Sequence, residues 1–198
     1  MCSIHFACSS TINLLLFKEM VSACAHRGPD QQKIHALTIG NKTAYIGHNR
    51  LTISGNKKHT QPIVNQQYRL TINGEIYNYK ELLKQHQLPL TYNDSYCFLE
   101  LIQQYNLAYA LQVTEGTYSF CLVDLKKQTV TIGRDKSGQK PLFYVHSENE
   151  LLASSTQLSL ANLQSPSSLR PESIHEILSC KHVAPTTSNF NQIHSLTP

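Results

Sequence analysis

The 198 residues predict an α+β domain, because strands arrive in runs with helices grouped between them, without the regular strand-helix alternation of a parallel sheet. Three observations carry the prediction. Short apolar runs recur through the first half and again after residue 117. Two stretches, residues 13–24 and 93–105, repeat their apolar residues at helical spacing, and Gly, Pro and Asn clusters separate these segments. The length suits one domain of ordinary size with a real core.

Taken in order, Ser3–Cys8 reads as a first strand with Ile4 and Phe6 on one side. Residues 13–24 place Leu14, Phe17, Val21 and Cys24 on one helical stripe, with Asn13 as N-cap. Gly28-Pro29 then requires a turn. Strands are expected at Ile34–Ile39, Thr43–Asn49 and Leu51–Ile53, the last running into Ser54-Gly55-Asn56 and a polar stretch at Lys57–Thr60. Tyr68–Asn73 is a further strand, expected to stop at Asn73-Gly74, a dipeptide that favours the positive φ of a hairpin turn. Helices follow over residues 78–86 and Asn93–Tyr105, the second aligning Phe98, Leu101, Ile102 and Tyr105, with Asp94 placed as its cap. Tyr118–Leu125 is a mostly apolar, buried strand that Lys126-Lys127 turns into Thr129–Arg134, and Leu142–Val145 and Leu151–Ser155 complete the set.

After Leu163 the composition shifts to Ser, Pro, Asn and Thr. Pro171–Leu178 supports one helix, but Lys181–Pro198 lacks apolar periodicity and reads as an interdomain connector in which the chain stops. The expected organisation is a domain over residues 1–163 and a connector over 164–198.

Composition excludes several classes of function. The formal charge is +4, yet no Lys/Arg stripe is interleaved with aromatics, so nucleic acid is not an expected partner. No run of eighteen apolar residues exists, and Leu14–Phe17 is too short for a span or a signal peptide, which points away from membranes and toward the cytoplasm. Six cysteines lie at positions 2, 8, 24, 97, 121 and 180 without a Cys-x-x-Cys pair, the pattern of reduced thiols. Cys24 with His26, and His5 near Cys8, lack a second pair at zinc spacing, so no metal is expected.

Cys2 stands out by position. Removal of Met1 would leave a first residue carrying both a thiol and a free α-amino group. The thiol titrates near ~8.5 and the amine near ~7.7–8.0, so the amine can take the thiol proton around neutral pH. Alone, such a cysteine is more simply a small buried hydrophobe.

Four further stretches accompany it: Arg27-Gly28-Pro29-Asp30, Arg50-Leu51-Thr52-Ile53, Asn73-Gly74-Glu75-Ile76-Tyr77-Asn78, and Arg134 to Leu142. With Gln61-Pro62 and Asp94, in this order and at these separations, they resemble the N-terminal glutaminase domain of glutamine-hydrolysing asparagine synthetases, a class II glutamine amidotransferase. The resemblance runs from Cys2 to about Ala161, and Leu169-Arg170-Pro171-Glu172 with Ile193–Pro198 looks like the lead-in to a synthetase domain. It implies an N-terminal-nucleophile αββα sandwich of two antiparallel sheets flanked by helices.

It also implies roles. Cys2 would attack the glutamine amide, while the Asn73 side-chain amide and the Gly74 backbone N–H would form the oxyanion hole. Arg50 would hold the substrate carboxylate, Glu75 and Asp94 its ammonium, and Ile53 would contribute through its backbone. Arg27–Asp30 and Arg134–Leu142 are read as scaffold. No cofactor is expected for this chain, since the Ser-Gly-Gly-x-Asp-Ser loop that would bind ATP, with its Mg, belongs to a synthetase domain not represented here. Glutamine and a synthetase domain or separate synthetase chain are the implied partners, and a homodimer is left open.

Two positions depart from the family pattern. Ser3 follows the nucleophile where Gly is usual, and Asn93-Asp94-Ser95-Tyr96 stands where Ser-Asp-Thr-Glu is common. Three readings compete: an active glutaminase, a silenced binding or regulatory module of the same fold, and an amidohydrolase acting on another amide. The charges of Arg50, Glu75 and Asp94 fit a free amino acid and argue against the third.

Overall fold

In the computed structural model, residues 1–52, 59–163, 167–182, 184 and 187–198 are described. Ten strands form two antiparallel sheets among these residues. The first sheet runs β10(His194–Ser195), β8(Phe143–Ser147), β9(Glu150–Ser154), β1(Ser3–Cys8), β3(Lys42–Arg50), β2(Gln31–Ile39). The second runs β4(Ile63–Val64), β5(Tyr68–Ile76), β6(Gly116–Asp124), β7(Thr129–Arg134).

Strand alternation explains how the two sheets stack. Ile4 and Phe6 of β1, Ala44 and Ile46 of β3, and Cys121 and Val123 of β6 share one apolar layer between the sheets. The opposite faces carry helices. Ala7 and Tyr45 meet α1(Leu14–Ser22) and α5(Gln157–Ala161) through Phe17, Met20, Val21 and Leu160. Leu70, Ile72 and Ile76 of β5, with Tyr118, Phe120 and Leu122 of β6, meet α2(Tyr79–Gln85), α3(Asp94–Gln104) and α4(Leu107–Val113). Helices therefore flank two stacked sheets in the αββα order of the N-terminal-nucleophile sandwich.

Local chemistry sets the helix starts. Asn13 caps α1 by accepting from the Leu16 amide at 3.0 Å. At α3 the cap is Asn93, accepting from Tyr96 N at 3.1 Å, and Asp94 is the first helical residue, one position later than the spacing suggested. Leu14 is 40% exposed, since the buried stripe of α1 is Phe17, Met20 and Val21 and the helix ends before Cys24.

Three sequence readings need correction. Asn73-Gly74 is not a turn: β5 continues to Ile76, paired with β6 throughout. Gly74 has φ +149°, and a Cβ there would lie 2.1 Å from the Thr117 carbonyl oxygen, so glycine permits close approach of two strands. Leu51 and Thr52 are not a strand, because their amides leave the ladder; Leu51 N donates to Cys2 Sγ at 3.3 Å and Thr52 N to the Asp30 carboxylate at 2.6 Å. Residues 181–198 are not without regular structure. His194–Ser195 adds β10 beside β8, Ile193 is buried, and α6 spans Pro171–Cys180. Two helices the periodicity missed, α4 and α5, are short; α4 was signalled only by Asn106, which caps Tyr109 N at 2.8 Å.

Candidate active site

The end of the inter-sheet layer beside the β1 N-terminus is polar instead of apolar, and the site is built there. Register places Ser3 opposite Asn49, which carries Cys2 to the side of Arg50 at the end of β3. Across the layer, β5 supplies Asn73, Gly74 and Glu75, and the start of α3 supplies Asp94. One pocket of about 430 Å³, its open mouth included, is lined by Cys2, Arg50, Gly74, Glu75 and Asp94, with Leu51 and Gln61 among its further walls.

The predicted residues thus converge from four elements, with two exceptions. Asn73, between the lining residues Ile72 and Gly74, is not itself part of the pocket wall; it is 1% exposed, and its Nδ2 has no hydrogen-bond partner in the protein. Ile53 falls outside the described residues.

Cys2 is half-buried, and its sulfur lies 3.3 Å from the Leu51 amide and 3.5 Å from the Leu51 carbonyl. Burial raises its pKa, the Leu51 amide, the amino terminus and Arg50 pulling the other way. In the chain still carrying Met1 the thiol is therefore the resting form, and a base is required. Asp94 is buried, which raises its pKa, while amides of Ile76 at 3.2 Å and Ser95 at 2.8 Å favour the carboxylate. Glu75 is exposed at the pocket wall. Arg50 is 7% exposed and forms part of the pocket wall.

The scaffold motifs hold backbone. Arg27 Nε donates to the Cys2 carbonyl at 3.1 Å, and Asp30 receives Thr52 N. Arg134 donates to the carbonyls of Gly138, Lys140 and Leu196, while Asp135 accepts from Tyr118 N at 3.0 Å.

Ser3 is held inside the fold. It sits in a regular strand with its side chain buried, and its hydroxyl accepts from Asn49 Nδ2 at 3.0 Å and pairs with His5 Nε2 at 3.1 Å. His5 closes the chain at Ser154 Oγ, 3.1 Å from Nδ1.

Sequence reasoning missed other walls. Gln61 accepts from Ile72 N at 2.7 Å and reaches Ser95 Oγ at 3.2 Å, tying β5 to the turn that bears Asp94. Its place in the Gln61-Pro62 motif was the available signal. His59 lies with its ring centroid 5.1 Å from that of Tyr96, the rings tilted by 50°, and was masked by a polar loop composition.

The glutamine amidotransferase domain family matches the sequence over residues 1–198. The chain belongs to this family. Among solved structures, the amidotransferase domain is similar to glutamine phosphoribosylpyrophosphate amidotransferase from B. subtilis complexed with ADP and GMP, with TM-score 0.67 at 18% identity, covering 80% of this chain and 43% of that one. An allosteric regulatory enzyme of purine biosynthesis gives TM-score 0.66 at 17% identity, with 80% and 43% covered. At these identities the likeness is one of fold, and the amidotransferase domain spans less than half the length of either structure. No curated protein matches the sequence. Among the described residues, no cluster of His, Cys, Asp and Glu suits a metal ion, and no helix is long and apolar enough to cross a membrane.

Proposed function

We propose that this amidotransferase domain hydrolyses glutamine to glutamate and ammonia with Cys2 as an N-terminal nucleophile, and passes the ammonia to a synthetase. The observation that carries the reading is one pocket in which a thiol, a guanidinium and two carboxylates meet beside Gly74, whose chain neighbour Asn73 carries a side-chain amide with an unmatched Nδ2. Arg50 matches the substrate's α-carboxylate, and Glu75 with Asp94 its ammonium. This leaves the side-chain amide to reach Cys2.

Once Met1 is removed, the amine accepts the thiol proton and Sγ attacks the amide carbon. Negative charge gathers on the oxygen, where Asn73 Nδ2–H and the Gly74 N–H are the donors. Collapse breaks the C–N bond, and the ammonium group of Cys2 returns its proton to the departing nitrogen. Water then cleaves the thioester, giving glutamate and the free thiol. A retained Met1 turns the amine into an amide without a basic lone pair.

The acceptor we infer is an asparagine-forming synthetase or one catalysing a similar amidation, on the strength of the two long motifs at residues 73–78 and 134–142. ATP and Mg would act on that partner. Six free cysteines, including a nucleophile that must stay reduced, suit the cytoplasm.

The test combines mass spectrometry of the purified chain with glutamate release from glutamine. Loss of Met1 together with glutamate release is expected, and Cys2→Ala abolishes release while retaining glutamine binding. Turnover with Met1 intact, or in the alanine variant, would sink the mechanism. A free Cys2 with no turnover would instead favour the silenced module, for which Ser3 and Tyr96 are the departures.

A further inference from the structure

Between the sheets, under the candidate site, four buried side-chain atoms have no protein partner: His48 Nδ1, Thr71 Oγ1, Asn73 Nδ2 and Ser119 Oγ. All four residues are at most 1% exposed. The topology gathers them. Thr71 and Asn73 lie two apart on β5 and share its inner face, and Ser119 is the register partner of Asn73 on β6. His48 crosses from β3 and places Nε2 3.3 Å from the Ile72 carbonyl, between the other two β5 residues. Opposed and next-but-one positions on a sheet face set Cβ atoms about 4.5–7 Å apart, a span that one small molecule bridges.

The His48 contact fixes the chemistry of the group. Burial keeps the ring neutral, its pKa pushed down to about 3, so it carries a single N–H. Facing a carbonyl, Nε2 must donate, which leaves Nδ1 as a lone-pair acceptor. Asn73 Nδ2 is a donor only, and each hydroxyl can serve either way. A molecule with two donors and two acceptors matches all four atoms at once. It donates to His48 Nδ1 and one hydroxyl, and accepts from Asn73 and the other hydroxyl. Native interiors match nearly all such atoms, with protein or with ordered water.

We propose that His48, Thr71, Asn73 and Ser119 bind one internal water between the sheets, and that this water fixes the Asn73 amide in its orientation toward Cys2. The proposal rests on the reading of Asn73 as an oxyanion donor. One Asn73 N–H is held by the water and the other is left for the pocket, so the donor is oriented before charge develops and needs no reorganisation during reaction. His48, Thr71 and Ser119 are positioning residues, acting on the reaction through the water and Asn73.

A crystal structure at about 1.5 Å tests the site directly: a water within about 2.7–3.2 Å of all four atoms is expected. A dry gap, or the four side chains paired with one another, overturns it. Kinetics test the positioning role through a pair of substitutions. Thr71→Val keeps the side-chain shape but removes the hydroxyl, and lowers kcat about three- to tenfold, the worth of one hydrogen bond, with KM for glutamine unchanged. Thr71→Ser keeps the hydroxyl and stays within about twofold of the parent kcat. A merely structural role predicts the reverse order, because Val leaves no hole while Ser loses a buried methyl. Ser119→Ala repeats the hydroxyl deletion on the neighbouring strand should the Thr71 variants fold poorly. Water present with kcat unchanged in Thr71→Val and Ser119→Ala overturns the positioning role. Failure of the oxyanion reading shows separately, as unchanged kcat in Asn73→Ala, while the crystal structure still decides the water.

Discussion

Asn73 is the residue on which two accounts of this chain divide. A turn residue contributes to stability, whereas an oxyanion donor contributes to the transition state. Its place in the middle of β5, fully paired in register with β6, removes the turn account. Its unmatched Nδ2 means that truncation takes away no protein hydrogen bond from that atom. Asn73→Ala is therefore expected to lower the urea midpoint only by the worth of the one water contact its Nδ2 makes, while losing ~10²–10³ in kcat, about 2.7–4 kcal/mol of transition-state stabilisation. A midpoint shift with kcat intact would return Asn73 to a structural role. Ser3 illustrates the opposite outcome. As a substitute for the family's usual glycine it suggested a displaced nucleophile, yet its hydroxyl holds Asn49 and His5 inside the fold. Ser3→Gly should thus destabilise, by about 1–3 kcal/mol, since both partners lose a buried mate. Chemical denaturation of the two proteins measures it, and an unchanged or higher midpoint would contradict this account.

At the scale of elements, the site is a meeting of strand ends. β1 brings Cys2, β3 brings Arg50, β5 brings Gly74 and Glu75, and the α3 start brings Asp94. Each belongs to an element whose other face is buried in a separate core, so the geometry is set by two layers of packing and not by a flexible loop. The carboxy-terminal segment joins this frame. Leu196 N donates to the Leu142 carbonyl at 2.9 Å, Arg134 reaches the Leu196 carbonyl, and Ile193 is buried against Val145 and Leu152. Deleting residues 187–198 is accordingly expected to lower stability by at least the ~1.5–3 kcal/mol of one buried isoleucine. Calorimetry of the shortened chain checks this; an unaltered melting temperature would mark the segment as a loosely attached tail.

For the whole molecule, the buried histidines set the response to acid. Burial, with nearby positive charge, pushes His5 and His48 down to about 3 from an ordinary 6.5. Burial dominates both shifts; the charges of His48 and Arg27 add to that of His5 and the charge of Arg50 to that of His48, and the Ile72 carbonyl opposes the His48 shift only in part. Unfolded, both bind a proton below about 6.5, while the folded chain excludes it until about pH 3. The unfolded state thus holds more protons in this window, and stability, complete above it, falls as pH drops from 6.5 toward 3. Two protons give a slope of about 2.7 kcal/mol per pH unit in the middle of the range. Urea unfolding at pH 7, 6 and 5 measures it, and a flat profile would show that the two rings are not held neutral.

Much of this protein was legible without coordinates. Ile4 and Phe6, Phe98 with Leu101 and Ile102, and the run Tyr118–Leu125 declare their buried faces by period alone, because a core tolerates few exceptions to alternation. Cys2, Arg50, Gly74, Glu75 and Asp94 were legible as motif residues, and the fold brings all five to one pocket. What sequence could not decide depended on neighbours distant in the chain. Asn73-Gly74 looks like a turn until β6 lies beside it and the Thr117 carbonyl occupies the space a Cβ would need. Asp94 looks like a cap until Asn93 takes the helix amide and leaves the carboxylate for the pocket. His48, one scattered histidine among ten, gains meaning only when the sheets stack and bring its ring against β5. Local propensity and pattern are written residue by residue, but burial, register and the matching of polar atoms are properties of pairs, and only the tertiary structure brings the pairs together.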